Sequence, residues 1–198
     1  ISHEGILVLD TNAPIGAPAK SYFNIEDDYC FEIGLTPNRA DAASHLGVAR
    51  DLAAYLNTAV IMPDIKAFSS HSQDLVISVS VEDQQACPRY SSLTIRGVTV
   101  QESPDWIKEK LQVIGLRPIN NIVDITNYVL HELGQPLHAF DADEIRGGKV
   151  LVKKCAEATP FRTLDGVERK LSSEDLMICH AEKAMCMAGV FGGDESGM

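Results

Sequence analysis

The chain has 198 residues, 45% hydrophobic and 23% charged, which is ordinary globular composition and enough for one medium domain or two small ones. No apolar run approaches the ~18 residues of a membrane span, and Ile1 opens on a polar stretch unlike a signal peptide. Net charge is -11, with 4 Lys/Arg against 12 Asp/Glu in residues 1–86 and 13 against 16 in residues 87–198, which disfavours non-specific nucleic-acid binding. Contact with RNA would have to be local, or rest on other parts of a larger protein. A first residue Ile and a last triplet Ser-Gly-Met give the expectation of an excised fragment.

In chain order, Gly5–Leu9 and Tyr29–Leu35 read as short β segments joined by Pro/Gly/Asn loops. Thr36-Pro37-Asn38-Arg39-Ala40-Asp41 is a turn, for which plain helix-entry chemistry is the simplest account. Leu46, Ala49, Leu52, Ala53 and Leu56 then mark a helix of about 12 residues with Ser44 as N-cap. Residues 58–73 have no period and read as a linker. Leu75–Glu82 alternates as a half-buried strand, and Arg89–Val100 reads as a second β stretch bent at Gly97. A helix follows, with Ser103 as N-cap, Pro104 at the first position and Gly115 at its C-terminal end. Beyond the next helix the chain is β-rich. Lys149–Lys153 is a strand. Thr163–Val167 is a hairpin whose Asp165-Gly166 pair predicts a type I′ turn. Leu176–His180 and Ala184–Phe191 pair around residues 181–183. The pattern predicts an α+β fold: a small helical part over 1–57, the linker, and a mixed α/β part over 74–198 with several antiparallel β segments and two helices.

The most unusual stretch runs from Arg117 to Asp141. Ile119, Ile122, Val123, Val129, Leu130 and Leu133 define the core side of a helix that Gly134 ends. On the other side Asn120, Asp124, Asn127 and His131 stack on neighbouring turns, beside Thr126. Asn and Thr cost helix propensity, so a face built from them points to hydrogen-bonding groups in use. Capping by Asn120 or Asn121 would explain part of it with no further role. Gly134-Gln135-Pro136-Leu137-His138 forms a Pro-fixed turn that places His138, a surface or capping residue in the simplest case, beside this face.

Five scattered cysteines without a CxxC pair argue for reduced thiols in the cytoplasm and against a zinc site or disulfides. A Cys-His nucleophile pair is disfavoured because Cys179 and Cys186 lie in apolar strands. No GxSxG, HExxH or strong paired-carboxylate motif is present. Ala188-Gly189-Val190-Phe191-Gly192-Gly193 lacks the Lys-Ser/Thr of a phosphate loop. Its glycines either allow a close approach or turn a corner.

Seven motifs in order carry a resemblance over essentially the whole chain. They are Thr36–Asp41 with Gly47–Asp51, Cys87–Tyr90, Arg117–Tyr128, Gly134–Asp141, Thr163–Gly166 and Ala188–Gly193. The chain resembles the β-subunit of bacterial phenylalanyl-tRNA synthetase: the end of its N-terminal helical domain, then most of its editing domain. The resemblance implies hydrolysis of tyrosine mischarged onto tRNA(Phe) in an enzyme that charges tRNA(Phe) with phenylalanine. It implies His138 and Asn127 as catalytic residues, with Thr126, Pro136, Ala188 and Gly189 binding the substrate. It further implies cytoplasmic location, tRNA(Phe) and an α-subunit as partners in an α2β2 heterotetramer, and no metal or cofactor in this segment. ATP and Mg²⁺ would serve the whole enzyme through the α-subunit. The family's tyrosine-recognising glutamate would lie on a strand beyond Gly193, which this sequence does not include. The alternative is a non-catalytic structural or RNA-binding module positioning tRNA or the α-subunit. A free-standing relative acting in trans ranks last.

Overall fold

The computed structural model describes residues 8–9, 12–70, 72 and 74–194. They fall into two units, 1–32 and 33–198. In the first, Ala19–Tyr22 forms a single helical turn, α1. Tyr22 and Phe23 meet edge-on at 4.8 Å, and Lys20 pairs with Asp27 at 2.6 Å. The β segment expected over Gly5–Leu9 falls mostly outside the described residues. The one expected over Tyr29–Leu35 does not form. That stretch is exposed throughout and has no partner strand among the described residues, and a strand without a ladder is not stable in water.

The second unit is α+β. Helix α2 is His45–Leu56, and Ser44 caps it by accepting from Gly47 N–H at 3.0 Å. Just before it, Arg39 binds both Asp41 and Asp51, so the Thr36–Asp41 turn is tied to α2 by charge. Asp41's carboxyl is held below its ordinary range by that guanidinium. This fits the helix-entry account of the motif.

Helices α3 (Asp105–Val113) and α4 (Asn121–Leu133) are joined by a tight connection. Gly115 N–H reaches Gln112 and Leu116 N–H reaches Leu111, both at 2.9 Å, the Schellman closure of α3. Trp106 of α3 meets Tyr128 of α4 edge-on at 5.4 Å. His45 donates from Nδ1 to the His131 carbonyl at 3.1 Å, linking α2 to the end of α4.

Among the described residues there are seven strands: β1 (Ser78–Val81), β2 (Lys149–Lys154), β3 (Pro160–Arg162), β4 (Glu168–Lys170), β5 (Leu176–Cys179), β6 (Ala184–Met187) and β7 (Phe191–Gly192). The main sheet has the order β1-β2-β5-β6-β7. β1 and β2 are parallel, with Val79 opposite Val150, and α3 and α4 supply the long crossover that a parallel pair requires. The other pairs are antiparallel, and β3-β4 forms a separate ribbon. Both faces of the main sheet are covered. Val150, Val152, Ile178, Met185 and Cys186 join Ile145 in one cluster, while Met177 and Cys179 join Phe161 and Leu171 in the other. Met185 and Cys186 share a face because the register slips between Ile178 and Cys179, leaving Met185 as the extra residue of a bulge.

Three further expectations are corrected. Residues 89–100 carry no strand. At the end of that stretch the side chain of Asn121 donates to the Thr99 carbonyl and accepts from Gln101 N–H. Ser103 does not cap α3, whose cap position is Pro104; its hydroxyl turns to Asp124 instead. The 163–167 hairpin is not type I′, because only Gly166 has a positive φ (75°). Gly166 N–H bonds to Thr163 C=O and Thr163 N–H to Val167 C=O, the pattern of a type I turn closed by a glycine bulge.

Candidate functional site

Helix α4 starts at Asn121, later than the apolar rhythm from Ile119 implied: Ile119, expected on the core side, is exposed, and Asn120, one of two residues offered as a cap, is the one that caps. Asn120 adopts an extended backbone (φ -154°) and its side-chain oxygen accepts from Ile122 and Val123 N–H at 3.0 and 2.9 Å. Gly134 closes the helix with φ 77°. Between these ends most of the polar face is occupied by structural bonds. Asp124 is fully buried and accepts from Ser103 Oγ at 2.5 Å and from Ile119 N–H at 2.9 Å. Thr126 donates its hydroxyl back to the Val123 carbonyl at 2.7 Å, a bond within its own helix. Asn127 lies half-buried one turn after Asp124. No hydrogen bond among the described residues engages its amide, nor the ring of His131 one turn further on.

The turn after α4 carries Pro136, exposed, with Gln135 donating to its carbonyl at 3.3 Å. His138 follows. Its ring packs on Phe140, with centroids 4.5 Å apart and planes at 58°, and Phe140 in turn packs on the Val150–Cys186 cluster. On another side the ring lies against Gly192. A Cβ built there would come within 2.6 Å of His138 Cε1 and 3.2 Å of Nε2. The rest of the residue is open to solvent. Partial burial of the ring lowers the imidazole pKa below its ordinary value, which favours the neutral form.

The glycine-rich strand end divides into two roles. Ala188-Gly189 forms the corner between β6 and β7, with Val190 N–H bonded to the Met187 carbonyl at 3.0 Å. Gly189 sits at the third position with φ 72°, as a type II turn requires. A Cβ at Gly189 would meet nothing within 4 Å. Ala188 packs on the same cluster as Phe140, and its N–H is engaged by the Leu176 carbonyl at 2.9 Å. Only the Gly189 amide of this pair therefore remains as a donor for a bound molecule. Gly192, three residues on, makes the close approach.

The structure thus brings His138, through Phe140, onto the cluster that also carries Ala188, and seats it on Gly192. Thr126 and Asn127 lie on the middle turns of α4. A cavity of about 790 Å³ lies elsewhere, lined among others by Arg146, Lys153, Cys155, Arg162, His180 and Lys183, and by none of the six predicted site residues. Its charge is mixed. Arg146 is paired with Glu144 at 2.9 Å and Arg162 with Asp194 at 3.1 Å, so it lacks the concentrated field of an anion site. Sequence reasoning missed Gly192, although the Gly-Gly pair was in view, and it missed His180. His180 is almost fully buried, and its Nδ1 accepts from Glu182 and Lys183 N–H at 3.0 and 3.3 Å, closing the β5-β6 turn.

The pattern described as the B3/4 domain matches residues 86–198. Over 99% of its length the chain is 58% identical to a phenylalanine–tRNA ligase beta subunit from Bacteroides fragilis. It is 57% identical over 100% of its length to that of Porphyromonas gingivalis, and 47% over 98% to that of Salinibacter ruber. The chain spans about a quarter of the length of these relatives, 24%, 25% and 24% in turn.

Proposed function

From the premise that this chain belongs to the B3/4 domain family, we propose that it is the part of a phenylalanine–tRNA ligase beta subunit that hydrolyses tyrosyl-tRNA(Phe). The observation that carries the reading is His138: a neutral imidazole fixed between Phe140 and Gly192, with one side open to a ligand.

The chemistry asks for little more. An aminoacyl ester is already activated, so a positioned water and donors aimed at the developing oxyanion are sufficient, and no protein nucleophile is needed. His138 orients the water or the terminal ribose. Asn127, its amide unengaged, binds a second group of the substrate, with Thr126 and Pro136 bounding it. The Gly189 N–H supplies a donor toward the oxyanion. Tyrosine differs from phenylalanine by one hydroxyl, and an apolar synthetic pocket rejects such an addition only ~10²-fold, so a second, hydroxyl-selecting site raises fidelity. In the whole enzyme an α-subunit with ATP and Mg²⁺ charges the tRNA in the cytoplasm. In this reading the assembly is an α2β2 heterotetramer.

The test is selectivity. Preformed tyrosyl-tRNA(Phe) and phenylalanyl-tRNA(Phe) are offered to the assembled enzyme carrying this sequence. Tyrosyl ester cleaved at least tenfold faster than phenylalanyl ester supports the reading, and equal rates overturn it. A second reading, a non-catalytic module, is favoured by one observation: Asn120, Asn121, Asp124 and Thr126 all spend their side chains on the protein itself. In that reading both esters survive.

A further inference from the structure

We infer that Gly192 is a positioning residue: its missing side chain is the seat on which the His138 imidazole rests. The inference deepens the editing reading and rests on it for its catalytic meaning, but the seat itself is a statement about geometry.

Three observations carry it. First, the contact is tight enough to be exclusive. An alanine Cβ at 192 would lie 2.6 Å from His138 Cε1 and 2.8 Å from Leu164 Cδ1, closer than carbon atoms approach without displacement. Leu164 Cδ1 is the end of a flexible side chain and can turn aside. The imidazole has Phe140 against it and can yield only by swinging off toward solvent. Second, Gly192 is not needed for backbone reasons. It is absent from the glycines with positive φ, so alanine is allowed there conformationally and the only obstacle is what it touches. Gly189, three residues earlier, is the reverse case: left-handed backbone and empty space. Third, the seat cannot retreat. Gly192 pairs with Cys186 across β6-β7, its carbonyl accepts from Leu164 N–H at 3.0 Å, and Gly193 is bridged to Thr163. The neighbouring Gly193 points the other way, toward Phe161, as alternation along a strand demands.

A residue that acts through His138 has a signature distinct from one that touches substrate. In NMR spectra of this chain, the His138 Hε1 should show a cross-peak to the Gly192 Hα protons, and Gly192→Ala should abolish it and move the His138 ring shifts toward those of an exposed histidine. In the complete enzyme, Gly192→Ala should slow tyrosyl-tRNA deacylation by ~10²-fold, the scale of a displaced catalytic group. In a His138→Ala background the same change should cost less than threefold. Should Gly192→Ala lower the melting temperature, His138→Ala with Gly192→Ala should recover most of the loss. An unchanged His138 spectrum in Gly192→Ala overturns the seat. So does a full ~10²-fold loss retained without His138, which makes Gly192 a wall of the substrate pocket instead. If His138→Ala leaves deacylation intact while the cross-peak is present and lost as expected, the seat stands and the editing role of His138 is what fails.

Discussion

Ser103, two residues before α3, donates its hydroxyl to the buried carboxyl of Asp124 on α4 at 2.5 Å, and the other oxygen of Asp124 accepts from Ile119 N–H at 2.9 Å. This fixes the start of α4 against the start of α3, one turn before Asn127. Asp124→Ala would leave the buried Ser103 hydroxyl without a partner and remove the acceptor of the Ile119 amide, and should cost about 2–4 kcal/mol in urea unfolding. Asp124→Asn keeps one acceptor and the volume, and should cost about 1–2 kcal/mol. Ser103→Ala should fall between. A loss below 0.5 kcal/mol, within the range of a surface substitution, for Asp124→Ala would show the bond to be incidental.

Gly189 makes a different demand. With φ at 72°, any L side chain is strained, so Gly189→Ala should cost about 1–2 kcal/mol. Gly189→Asn should cost less, since Asn tolerates that region. A Cβ would meet nothing within 4 Å, so Gly189→Trp should melt close to Gly189→Ala. If the substrate lies against this corner, the Trp variant alone should lose tyrosyl-tRNA deacylation. Equal deacylation by the Ala and Trp variants would remove Gly189 from the site.

His180 sets an acid limit on folding. Its Nδ1 must stay unprotonated to accept from Glu182 and Lys183 N–H, and burial lowers its pKa below the ordinary 6.5; His138 is shifted the same way. A folded-state pKa below the unfolded one means that the unfolded chain binds protons first. The stability these rings contribute is full above pH 6.5 and is lost as pH falls through their folded values. The urea midpoint should therefore drop between pH 7 and pH 5. His180→Asn, whose Oδ1 replaces the acceptor, should drop less. His180→Ala should be weaker by about 1–3 kcal/mol at both pH values. A wild-type midpoint that is flat over this range would contradict the assignment.

What the sequence made legible was local. The start of α2 and the end of α4 follow from Ser44 and Gly134, because a cap is a bond between residues three or four apart, while Asn120 was one of two residues that could begin α4. The paired strands β5 and β6 follow from two short apolar runs and the turn between them. Ser103 misled because a hydroxyl poised to cap α3 and one poised to reach Asp124, 21 residues on, look the same in sequence. The Arg89–Val100 stretch alternates like a strand, but pairing is a long-range matter: no strand forms there, and Asn121 engages the Thr99 carbonyl and the Gln101 N–H just beyond. At the site, His138 and Asn127 were visible as unusual residues in an unusual setting. Gly189 and Gly192 were indistinguishable, because φ at one and a clash at the other are properties of the folded chain.

Cysteine chemistry offers an independent check on the packing. Burial pushes the Cys179 thiol up to about 12 and the Cys186 thiol up to about 11, while Cys30 is exposed. Under native conditions near pH 8, iodoacetamide should label Cys30 readily and leave Cys179 and Cys186 unmodified until the chain unfolds. Native labelling of Cys179 at the rate of Cys30 would mean that the β5 core opens freely.

The most direct measurement is hydrolysis of preformed tyrosyl-tRNA(Phe) by the complete enzyme with and without His138→Ala, with phenylalanine activation followed in parallel by pyrophosphate exchange. Loss of a water- or substrate-orienting group costs ~10²–10³-fold when it acts mainly in the transition state. The account predicts a deacylation loss of that size in His138→Ala with activation unchanged. Deacylation within about threefold of the parent, against that ~10²–10³-fold expectation, would reduce His138 to a structural residue and contradict the central claim.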